Sequence, residues 1–191
     1  MMVVYIVTAV LVLTGLYLLL RAAGSSYLQF RGTRIITCPE TNEPAAVKVS
    51  AGYAALSSVL LDPTLRLRQC SRWPERQDCG QQCLKQIEAA PEDCLVRTIL
   101  AGWYQGKACV YCHKPLGEIN WLEHKPALLS PERKTVEWSE LRPEAIPAVL
   151  ETHRPVCWNC HIAETFREQY PDLAVDRGWR RSGEPAAGNE H

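Results

Sequence analysis

The strongest constraint on this chain is a motif that occurs twice, Cys109-Val-Tyr-Cys112-His113 and Cys157-Trp-Asn-Cys160-His161. A Cys-x-x-Cys turn can present two thiolates to one point. Two such turns supply four soft ligands, the full set of a closed tetrahedral zinc site. The four sulfurs then have to meet around one ion, although 44 residues (113 to 156) lie between the two pairs. The same five letters, Cys-x-x-Cys-His, are also the attachment signal for c-type haem. A single Cys-x-x-Cys also suits a redox-active dithiol.

The haem reading assigns one haem to each motif, with His113 and His161 as proximal ligands. His124 and His153 would complete bis-histidine coordination, because the only methionines are Met1 and Met2. Against it stand five further cysteines, which a protein in an oxidising compartment would have to pair or protect. If zinc is bound instead, His113 and His161 read as supporting or capping residues. The dithiol reading would use Cys157 and Cys160 at the start of a helix, but the chain lacks the βαβ pattern around such redox motifs. Zinc is the first expectation, two haem c groups the second and a dithiol the third.

Compartment bears on that order. Residues 2 to 20 run for 19 positions without a charge, and a helix of that length spans roughly 28 Å, close to the hydrocarbon thickness of a bilayer. A cleaved signal peptide would have a positive n-region and a shorter apolar core. An uncleaved single-pass anchor is the expectation. Arg21, Arg31 and Arg34 follow the apolar run and no side-chain charge precedes it, so the N-terminus is expected outside and the rest in the cytosol. There thiols stay reduced and cysteine-rich domains more often bind metal.

Beyond the anchor (1–21), residues 22–34 read as a juxtamembrane linker with Tyr27 and Phe30 at the interface. Residues 35–104 read as a cysteine-rich α+β subdomain: strands Ile35–Cys38 and Ala45–Val49, a helix Ala51–Leu61, a strand leading into Cys70, and helices at Gln81–Ala89 and Pro91–Trp103. Residues 105–176 hold the two motifs. Ile119–Trp121, His124–Leu129 and Thr135–Trp138 read there as a small antiparallel sheet, Pro143–Thr152 as a helix interrupted by Pro147, and His161–Tyr170 as a last helix. The tail 177–191 is expected to be disordered.

The order knuckle, hairpin, second Cys-x-x-Cys and helix resembles the treble-clef class of zinc fingers, which includes LIM-type modules. Cys109, Cys112, Cys157 and Cys160 carry the resemblance, with the segment from His161 as the final helix, over about residues 105–172. It implies that the last two thiolates sit at a helix N-terminus, where the dipole favours negative sulfur. Tyr111-Cys112-His113-Lys114-Pro115 looks like a zinc-knuckle exit, with His113 where that class carries glycine. The insert also departs from the usual gap of about 15–20 residues.

Cys38, Cys70, Cys79 and Cys83 each lie in or beside an expected turn and form a candidate second metal site, for zinc or an iron–sulfur cluster. Their spacing matches no ligand template, and buried thiols are the plain alternative. Cys94 reads as a small buried hydrophobe, and the tryptophans near the cysteines read as core. Glu118, Glu123 and Glu137 read as surface, and no catalytic constellation or small-molecule substrate site stands out. Lysine plus arginine equals aspartate plus glutamate at 21 each, which gives no electrostatic case for nucleic acid. The sequence therefore predicts an α+β, cysteine-rich domain on one membrane helix. Its treble-clef-like half would hold structural zinc, and the module would serve a protein partner rather than catalysis.

Overall fold

The computed structural model describes residues 1–59, 62–73, 75, 78–121 and 123–173. The expected tail 177–191 and the last two residues of the expected helix Ala51–Leu61 lie outside them.

Helix α1 spans Met2–Phe30 and is long and apolar enough to cross a membrane. It does not stop where the apolar run ends. At about 43 Å for 29 residues it exceeds a hydrocarbon core of about 30 Å. The stretch that reads as a linker is therefore mostly the end of the same helix. Helix α2 (Ala51–Ser57) packs against α1, and Phe30 enters a core with Ala51 and Ala54.

The end of α1 is capped from outside the helix. Arg34, fully buried in strand β1 (Thr33–Thr37), donates through its guanidinium to the carbonyl oxygens of Gln29, Phe30, Gly32 and Pro91. A helix C-terminus leaves carbonyls without partners, and a buried cation that satisfies several of them also suits the negative end of the dipole. Burial lowers the Arg34 pKa from its ordinary value, partly offset by the neighbouring Cys94 thiol. Gly32 makes the link sterically: its φ is +105°, and a Cβ there would lie 3.2 Å from Leu95.

β1, β2 (Pro44–Val49) and β3 (Leu67–Cys70) form an antiparallel meander in the order β1-β2-β3. Alternation along β1 sends Ile36 to a core with Val47, Leu67 and Ile87, and Ile35 to a second core with Val96, Leu100 and Tyr104. β1 thereby joins the two halves of the domain. Helix α3 spans Leu84–Ala89 and α4 spans Val96–Tyr104. Cys94 precedes α4 rather than sitting inside a helix, and its thiol approaches the Ala90 and Pro91 oxygens. It packs partly buried against the first core, as a small hydrophobe would.

The second sheet has the order β5-β4-β6, with β4 Ala127–Leu129, β5 Thr135–Val136 and β6 Arg154–Val156. β6 is absent from the sequence reading, since three residues with a central proline carry no periodic signal. Ile119–Trp121 forms no strand, and Trp138 begins a short 3-10 helix. Pro147 does not break helix α5 (Ile146–Thr152), because it sits in the first turn where no intrahelical N–H is needed. Helix α6 spans Trp158–Gln169 and starts inside the second motif.

Candidate metal centre

The sulfurs of Cys109, Cys112, Cys157 and Cys160 all lie within 4.8 Å of one another, with Cys112 Sγ 3.7 Å from Cys157 Sγ. A zinc–sulfur bond of about 2.3 Å places tetrahedral ligand sulfurs about 3.8 Å apart. The cluster therefore has the dimensions of a four-thiolate site. None of the nine cysteines is in a disulfide.

Each pair is held by local backbone structure. In the first, the Cys109 N–H donates to the Lys114 oxygen at 3.0 Å and the His113 N–H donates to the Cys109 oxygen at 2.9 Å. His113 closes this turn at φ +56°, the left-handed conformation that explains why glycine would suit the position. Its side chain is exposed. In the second, Cys157 is the N-cap of α6 and Cys160 lies in its first turn. The dipole and free amides of this 12-residue helix favour negative sulfur there.

The long insert is what brings the pairs together. Its middle supplies β4 and its end supplies β6, and these pair antiparallel with Ala127 opposite Val156. β6 runs directly into Cys157, while the Val110 N–H of the first turn donates to the Pro155 oxygen at 3.0 Å. Cys109, Ala127, Val156 and Cys160 form a small core of their own. Thus 44 residues separate the pairs in sequence, and one strand pairing erases the distance.

The four thiols do not share one electrostatic environment. Burial opposes ionisation of Cys109, but the amides of Cys112, Cys157 and Tyr111 overcome it and bring its pKa down to about 7. Burial, with the crowding of neighbouring sulfurs, pushes Cys157 and Cys160 up. A divalent cation between the sulfurs would replace that mutual repulsion by attraction.

Of the histidines in the motifs, His161 is buried and hydrogen-bonded at one ring nitrogen. Its Nδ1 is 2.9 Å from the Thr135 hydroxyl, and its Nε2 is 3.8 Å from a Glu137 carboxylate oxygen. Thr135 and Glu137 go unnoticed as supporting residues in the sequence. Glu137 lies just beyond the two-residue strand β5, so no periodic pattern marks the pair. Neither His113 nor His161 belongs to the converging ligand group.

Cys38, Cys70, Cys79 and Cys83 all line one cavity, which they share with Ile36, Leu67 and Arg72. Their sulfurs do not converge to the spacing of the first group. Burial, together with the nearby thiols of Cys70, Cys79 and Cys38, pushes Cys83 up to about 11.

No known protein family, curated protein or solved structure matches the chain.

Proposed function

We propose that this is a single-pass membrane protein whose cytosolic domain is built around structural zinc and serves as a protein-interaction module. The observation that carries the reading is the convergence of Cys109, Cys112, Cys157 and Cys160. Four thiolates complete a tetrahedral shell and leave no position for substrate water, so the metal would organise a surface rather than catalyse a reaction. The order of the Cys109 turn, the β4–β5 hairpin and a second pair at the start of α6 supports a treble-clef-like arrangement. Two covalent haems fit poorly, since each needs its own cysteine pair and an axial histidine, whereas these pairs face each other and His161 is engaged by Thr135 and Glu137. The raised pKa of Cys157 is likewise the reverse of an activated dithiol.

A protein partner is supported by α6, which starts at the sulfurs and carries Ile162 and Phe166 exposed, with Tyr170 and Leu173 exposed just beyond it. The membrane assignment rests on α1 and the cytosolic assignment on Arg21 and Arg31, since Arg34 is consumed as a cap.

Metal analysis of the full chain in detergent tests the site. Zinc should be present in the wild type, and Cys157→Ser should lose it with a stability loss of about 3 kcal/mol or more, roughly 10 °C in Tm. Unchanged metal and melting in Cys157→Ser, or a Soret band in the wild type, would reject the proposal. A photo-crosslinker at Phe166 should yield a protein adduct in native membranes. A lipid adduct alone would reject the interaction role.

A further inference from the structure

The turn between β1 and β2 repeats the Cys109 turn bond for bond. In each, the cysteine N–H donates to the carbonyl five residues on: Cys38 to Glu43 at 2.9 Å, and Cys109 to Lys114 at 3.0 Å. In each, the residue four positions on donates back to the cysteine carbonyl: Asn42 to Cys38 at 2.8 Å, and His113 to Cys109 at 2.9 Å. That residue has positive φ in both turns, 54° at Asn42 and 56° at His113. The amides two and three positions after the cysteine address its sulfur in both, Glu40 and Thr41 in one, Tyr111 and Cys112 in the other.

Backbone donors gathered on one sulfur are what a thiolate requires, and a metal ligand is a thiolate. The Cys38 turn has Thr41 where the other has Cys112, so it delivers one sulfur instead of two. The Thr41 hydroxyl is buried beside that sulfur with no other partner.

The missing sulfurs come from the other elements around the same cavity. Its volume is about 100 Å³, and Cys70, at the end of β3, lines it together with Cys79 and Cys83, which precede α3. Arg72 stands in its wall, ion-paired with Glu43 and Glu75. A cation there offsets the excess negative charge of four thiolates on a divalent ion.

We propose that Cys38, Cys70, Cys79 and Cys83 hold a second metal centre with all-thiolate ligation, filled by zinc or by iron with inorganic sulfide. Binding would draw the four sulfurs inward, since metal affinity at such a site is also folding energy. The centre is separate from the one formed by Cys109, Cys112, Cys157 and Cys160 and does not depend on it.

The test is the metal and acid-labile sulfide content of the full chain in detergent, for the wild type and four serine variants. The wild type should hold two centres per chain, seen as two zinc ions or as one zinc with iron and sulfide. Cys38→Ser and Cys79→Ser should each lose the second centre and keep the first, Cys109→Ser should do the reverse, and Cys94→Ser should keep both. If a variant fails to fold, cobalt titration of the metal-free wild type still counts the sites, with two thiolate-bound equivalents expected. A wild type with only the Cys109-dependent centre, or cobalt saturating at one equivalent, would overturn the second site while leaving the first intact.

Discussion

At the scale of single residues, the first centre depends on how four similar thiols are made different. Cys109 is held down to about 7 by amides pointed at its sulfur, whereas burial raises Cys157 and Cys160 above the ordinary thiol value. Near neutral pH the metal-free protein therefore keeps Cys157 and Cys160 protonated, and metal must displace a proton from each. Lowering the pH favours the protonated thiols, so apparent affinity should fall as pH falls. An indicator-dye titration at neutral pH should record release of at least those two protons for each ion bound. His113 offers a second check, because its backbone closes the turn while its side chain is exposed. His113→Gly should leave the metal in place and change stability by no more than about 1 kcal/mol, since relief of left-handed strain roughly offsets the added freedom of the unfolded chain. Loss of cofactor in that variant would return haem ligation to consideration.

At the scale of elements, the decisive pieces are short and gain their stability from neighbours. β6 has three residues and matters because it pairs with β4 and anchors the Cys109 turn through Pro155. The apolar run of α1, the hairpin β1–β2 and the helical face of α4 were legible because each repeats a period long enough to recognise. The continuation of α1 through residues 22–30 was not legible, because Gly24, Ser25 and Ser26 read as linker in isolation. What holds that stretch helical is tertiary: α2 against its side and the Arg34 guanidinium on its last carbonyls. Arg34→Ala should therefore cost about 3 kcal/mol and increase amide exchange at the end of α1. An unchanged melting curve would show that the cap contributes little.

At the scale of the whole molecule, α1 runs to Phe30, whose side chain enters the core, so the orientation of the domain is tied to that of α1. With the domain in the cytosol, a thiol reagent that cannot cross membranes should leave its cysteines unlabelled in intact cells and label them after permeabilisation. Labelling of intact cells would invert the topology and remove the reducing environment on which the zinc reading rests. By itself the sequence determined the apolar span, the α+β character and which four cysteines could converge, because length, period and residue chemistry are local properties. Only the tertiary structure decided that the two cysteine pairs meet across 44 intervening residues, and that Cys38 sits in a copy of the Cys109 turn with Thr41 where that turn has Cys112. Both depend on strand pairing and on backbone hydrogen bonds between residues whose side chains give no sign of them.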